Sequence, residues 1–124
     1  MALFLAVRSG RVEIVELLLS IPDIDINLRD EDGWTAIMMA SRWENIEIVK
    51  LLLSRPDLDV NLQSKGGWTA LMITSQWGRN EIVELLLSRP DLNVNLQSEF
   101  KWTALMMASL WGYNKIVSLL ENHK

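Results

Sequence analysis

The residues able to do chemistry are few. None of the 124 residues is cysteine, one is histidine, and six are tryptophan against one tyrosine and two phenylalanines. The missing cysteines remove disulfides, thiolate metal sites and thiol nucleophiles together. His123 lies one residue from the end, so no serine or threonine has a histidine base to activate it, and no nucleophile–base–orienter set assembles. Gly66-Gly67 has neither the spacing nor the lysine of a phosphate loop. Glu47 and Glu81 repeat at equivalent positions and should face solvent beside Lys50 and Arg79. No catalytic residue and no cofactor is assigned, and the chain does not read as an enzyme.

Two acidic pairs, Asp23/Asp25 and Asp57/Asp59, have a third copy in Asp91/Asn93. In an extended segment such a pair could place both carboxylates on one side and hold a hard cation. The further ligands of a calcium loop do not follow, and aspartates in turns commonly accept local backbone hydrogen bonds. They are read as a solvated loop edge, with no metal site. Net charge is −4, from 12 Lys+Arg and 16 Asp+Glu, and no basic stripe occurs, which argues against nucleic acid as a partner. No apolar run has the length of a membrane span. The opening Met-Ala-Leu-Phe-Leu-Ala-Val lacks a basic flank and soon meets Arg8 and Glu13, so it reads as the first turns of a helix. Without a signal segment or cysteines, the expected location is intracellular, in the cytoplasm. A hydrophobic content of 49% excludes wholesale disorder, and the length suits a single domain over residues 1–124.

The tryptophans remain, and their spacing reveals the elements that must carry them. Trp34, Trp68 and Trp102 are 34 residues apart, as are Trp43, Trp77 and Trp111. Segments 32–65 and 66–99 agree at 23 of 34 positions without a gap, so the chain is an array of one repeated unit. The units are 1–31, 32–65, 66–99 and 100–124. Thr35, Thr69 and Thr103 can cap a first helix over 36–43, 70–77 and 104–111. Ala40, Thr74 and Ala108 keep one flank of it narrow. Gly78 and Gly112 suit a left-handed turn, while Glu44 in the same place must strain or take another shape. A second helix starts near Glu47, Glu81 and Lys115, and its Ile-Val-x-Leu-Leu-Leu run fits a helix sandwiched between neighbours. Pro22, Pro56 and Pro90 end it. In the segment that follows, Leu58, Val60 and Leu62 alternate with polar residues, as in one arm of a hairpin-like loop. Helices this short are stable only when stacked on copies of themselves.

These motifs resemble the ankyrin-repeat family. Gly-Trp-Thr-Ala-Leu-Met (67–72) stands where the family has Gly-x-Thr-Pro-Leu-His, and Gly-Arg-Asn-Glu-Ile-Val-Glu-Leu-Leu-Leu (78–87) matches its Gly-His-x-Glu-Ile-Val-x-Leu-Leu-Leu run. Asn27, Asn61 and Asn95 match its asparagine at the loop base, a bracing position. The resemblance implies an all-α solenoid of four stacked helix pairs joined by hairpin-like loops. Departures are specific: Ala36, Ala70 and Ala104 replace the family proline. Met38, Met72 and Met106 replace a histidine that hydrogen-bonds between units, so the polar network between units should be thinner. Lys101, where Gly33 and Gly67 stand in the sister units, should make the third loop tip the least regular. At the ends, Glu121 takes the place of Leu19, Leu53 and Leu87 and blunts the last face. Ala2–Leu5 has no such dressing: it caps by its own packing or belongs to a longer array.

In that family, partners bind the loop tips and the concave face of the first helices. The matching variable positions here include Trp34, Trp68 and Trp102 near the tips, with Trp43, Trp77 and Trp111 further down the groove. Arg42, Gln76 and Leu110 stand beside the second row, continuing from Arg8 in a run that grades from basic to apolar. The resemblance thus implies a scaffold binding a protein or peptide, an extended one with an acidic end fitting that gradient. Two other readings stay open. Each indole could pack on its own repeat, leaving a structural segment of a longer array, or the chain could self-associate weakly with no separate ligand.

Overall fold

The computed structural model of the chain describes residues 2–123. Eight helices follow one another: α1 (Ala2–Arg8), α2 (Val12–Leu19), α3 (Ala36–Arg42), α4 (Ile46–Leu53), α5 (Ala70–Trp77), α6 (Asn80–Leu87), α7 (Ala104–Trp111) and α8 (Asn114–Asn122). Two or three residues join the members of each pair, so the chain doubles back within a unit. The first helices stack in the order α1, α3, α5, α7, and the second helices in the order α2, α4, α6, α8. There is no strand among the described residues, and none of the helices is long and apolar enough to cross a membrane.

The first helices begin where a threonine can cap them. Thr35, Thr69 and Thr103 are extended, and their hydroxyls face the backbone N–H of Met38, Met72 and Met106 at 3.5, 3.1 and 3.2 Å. The first of these is too long to contribute much. Ala40, Thr74 and Ala108 are fully buried, which lets α3, α5 and α7 approach closely. The second helices have no side-chain cap at their start and are held by packing: Val49, Val83, Leu52 and Leu86 are closed off from solvent. They end earlier than the prolines demand. Ser20, Ser54 and Ser88 close them, their hydroxyls donating to the carbonyls of Leu17, Leu51 and Leu85 at 2.6, 2.6 and 2.5 Å. The prolines lie two residues further on.

The turn inside each pair needs a left-handed residue. Gly10, Gly78 and Gly112 supply it at φ near +70°, and Glu44 adopts it at φ +56° despite its side chain. Trp43, expected inside α3, is instead the residue that closes it. The Glu44 carboxylate is met by Arg79 at 3.2 Å, and Arg79 also donates to the Arg42 carbonyl at 3.4 Å. Arg79 therefore pairs with Glu44 rather than with Glu81, whereas Lys50 does lie 3.9 Å from Glu47.

Polar bonds between units are not scarce; they have moved to the loops. Asn27 donates to the Asp57 carbonyl and accepts from the Asp59 N–H, at 2.9 and 2.8 Å. Asn61 clamps Asp91 and Asn93 in the same way at 2.8 Å each. Arg55 donates to the Leu19 carbonyl at 2.6 Å, and Arg89 reaches the carbonyls of Leu53, Arg55 and Leu58. The hydrogen bond from Arg89 also holds the Asp91 carboxyl below the usual carboxylate range and raises the guanidinium above its own, each against the opposing effect of burial. The acidic pairs thus separate. Asp57 turns to Arg55, while Asp59 accepts from the Asn61 N–H, and no cation-holding cluster of acidic or histidine side chains occurs among the described residues.

Leu86→Ala should lower stability by about 2–5 kcal/mol, the usual cost of emptying a closed leucine site. Glu84→Ala removes only an exposed pair with Lys115 and should change it by less than about 1 kcal/mol. Equal denaturant midpoints for the two variants would contradict the buried face described above. Asn61→Ala breaks both arms of a clamp and should cost about 1–2 kcal/mol. Asn95→Ala, whose side chain bonds to nothing among the described residues, should leave the melt unchanged.

Candidate partner-binding surface

The first tryptophan row is positioned by the loop tips. The Trp68 N–H donates to the Ser64 hydroxyl at 3.2 Å, and its carbonyl accepts from the Ser64 N–H at 2.8 Å. Trp102 and Ser98 repeat both bonds at the same lengths, and Trp34 is bracketed likewise by Asp30. Successive tips are stitched together, Lys65 N–H to Asp32 and Glu99 N–H to Gly66. Gly33 and Gly67 are required on two counts. Their φ values are +79° and +83°, and an added Cβ would sit 2.9 and 2.7 Å from the backbone nitrogen of the next tip. Lys101 adopts φ +70° and closes its tip with the same bonds, so the third tip is as regular as the others. No further tip lies against it among the described residues, and its side chain has room.

The two rows differ in depth. Trp34 and Trp68 are half-buried against the core, whereas Trp102, Trp43, Trp77 and Trp111 are exposed. The first two pack against the core, and Gly66 brings backbone close to Trp68: a Cβ there would lie 3.3 Å from the ring. Between the rows runs a furrow of about 470 Å³ lined by Trp34, Arg42, Trp68, Gln76 and Trp77, with Asp32 and Lys65 at its tip side. A second depression shares Trp68 and Gln76 with it and continues to Phe100, Trp102 and Leu110. A third shares Asp32, Trp34 and Arg42 and continues to Arg8 and Trp43. The three make one channel across all four units. Trp111 lines none of them and stands exposed beyond the last.

Arg42 is the electrostatic centre of the channel. Its guanidinium carbon lies 3.9 Å from the Trp77 ring centroid and 4.6 Å from that of Trp43, a cation–π contact linking units two and three. Gln76 replaces it one unit on and Leu110 after that, while Asp30 and Asp32 line the first-unit depression together with Arg8 and Arg42. Phe100, 80% exposed, occupies the place of Asp32 and Gly66, one of the positions the family varies. That break in an otherwise regular repeat was the available signal. The lining is aromatic and amide, with Arg8, Arg42 and Lys65 beside Asp30 and Asp32, which suits docking of apolar side chains and a hydrogen-bonding backbone.

The family model describing ankyrin repeats in three copies matches residues 1–64 and again 56–124. The chain belongs to the ankyrin-repeat family. Ankyrin repeats are generally protein-interaction modules. No curated protein matches this ankyrin-repeat chain.

Acrylamide should quench most of the tryptophan emission of the free protein, because four of the six indoles are exposed. The residual, blue-shifted component should disappear when Trp34 and Trp68 are replaced by phenylalanine. Uniformly blue, poorly quenched emission would place all six in the core.

Proposed function

We propose that the chain is a binding scaffold that takes an extended segment of a partner protein along the tryptophan channel and works by recognition alone, with no chemistry of its own. The observation that carries this is the continuity of the channel: six aromatic side chains and Arg42 line depressions that share residues across four units. Exposed apolar surface of that extent is unusual on a protein that binds nothing. Tryptophan and arginine are the residues that most often dominate interface energies, burying large area for few rotatable bonds. The surface is also preformed. Tip bonds and the Arg42 stack fix the indoles beforehand, so docking sacrifices little conformational freedom.

Mechanistically, the half-buried Trp34 and Trp68 form the floor, and Trp77 and Trp102 form walls against which apolar side chains of the partner pack. Gln76, at the centre, offers a donor and an acceptor to an extended backbone. Arg42 and Arg8 favour a carboxylate at the first-unit end, which gives the bound segment a direction.

Selection from a displayed library of random peptides should yield ligands carrying apolar side chains that bind one to one and perturb tryptophan fluorescence. Trp77→Ala should weaken them by about 2 kcal/mol or more while leaving the fold intact. Ligands insensitive to Trp77→Ala and to Trp102→Ala would remove the channel from consideration as the recognition surface.

A further inference from the structure

The repeat supplies its own control for which surfaces need a neighbour. Ile48, Ile82 and Ile116 are fully buried, yet their copy in the first unit, Ile14, is 42% exposed. Ile116 has no unit after it among the described residues and is still covered, so what covers this position is the preceding unit. Leu17, 67% exposed, behaves the same way against the half-buried Leu51, Leu85 and Leu119. Ile14 lines a furrow on the outer face of α1 and α2 with Leu5, Arg11 and Leu18. The opposite end shows the complementary pattern. Phe4, Met38 and Met72 are buried, but Met106 is 47% exposed, and Val117 is half-buried where Val15, Val49 and Val83 are closed off. These positions are covered by the following unit.

A second contact runs across the same seam. The residue after each left-handed turn residue reaches back over the turn of the unit before it. Arg79 meets Glu44, Tyr113 lies against Gly78 (3.0 Å from where a Cβ would be), and Asn45 lies beside Gly10 at 3.1 Å. Gly112 has nothing within 4 Å of that point, and Arg11, the first-unit member of the series, is exposed.

We propose that a second copy of this chain docks head to tail, its α1–α2 face seating on the α7–α8 face of the first. Ile14 and Leu17 then cover Met106 and Val117, and Arg11 lies over Gly112 as Arg79 lies over Glu44. The surface is distinct from the tryptophan channel, and the contact continues the seam already present between units. Two residues make it weaker than an internal seam: Ile21 cannot make the carbonyl bond that Arg55 makes at the same position, and Glu121 replaces a leucine. The association is therefore reversible and, being heterologous, open-ended.

Sedimentation velocity across a wide concentration range tests this. The average mass of the wild type should rise steadily with concentration. Leu17→Lys blocks one end and Met106→Lys the other, both at side chains exposed in the single molecule; each variant alone should weaken association at least about tenfold. Far-UV circular dichroism and melting confirm that both are folded, with Arg11→Glu as a milder first-end variant. An equimolar mixture of the two blocked variants should form a 1:1 dimer and nothing larger, since one open end of each kind remains. A wild type that stays monomeric, a mixture that fails to pair, or an association abolished by Trp77→Ala overturns the proposal; the last would move the contact to the channel.

Discussion

Everything in this protein depends on a shortage of local closure. A pair of helices of seven to nine residues cannot cover its own apolar surface, and each is shorter than an isolated helix needs to persist in water. Valines on one face and isoleucines on the other are buried only because a neighbouring unit lies against them. Fold and stability are thus properties of the seam rather than of the unit, as expected of an array in which each repeat contacts only its neighbours. The channel is a by-product of the same rule. Stacking units at a fixed period lines up whatever each repeat carries, and this repeat carries tryptophan twice, at the loop tip and at the end of the first helix.

Much of this was readable in advance because the period tests itself. A threonine cap or a glycine turn seen once is weak, but three copies at a 34-residue spacing leave little room for another fold. The turn at Glu44, the alternation of Leu58 and Val60 with exposed aspartates, and the capping threonines all followed from local chemistry. What escaped was relational. The methionines do lack the family's histidine bond, but nothing in the sequence alone said that Asn27 and Asn61 would clamp the next loop and restore polar contact there. The loop tip at Lys101 looked irregular because the reason for glycine at its sister positions is the approach of a following tip, a distance between units that no single unit encodes.

The channel was legible in the same uneven way. The family resemblance put the two tryptophan rows on one flank, but Trp34 and Trp68 pack against the core while the other four indoles are exposed. The stack of Arg42 between units two and three depends on Trp77 of the following repeat. Position 100 falls among those the family varies, and there Phe100 replaces the Asp32 and Gly66 of the sister units. Residues that make one repeat unlike the next are where an array of copies acquires selectivity, and Arg42, Gln76, Leu110 and Phe100 are of that kind.

The turn at Glu44 gives assembly an order in time. A left-handed residue bearing a side chain costs about 1 kcal/mol, and that strain lies wholly within unit two. The contacts that offset it, from Arg79 to Glu44 and to the Arg42 carbonyl, come from unit three. Synthesis delivers a chain from its N-terminus, so α3 and α4 exist before their brace does, whereas the turns at Gly10 and Gly78 form without one. During synthesis, therefore, the brace of the joint between α3 and α4 arrives only with Arg79, one unit later.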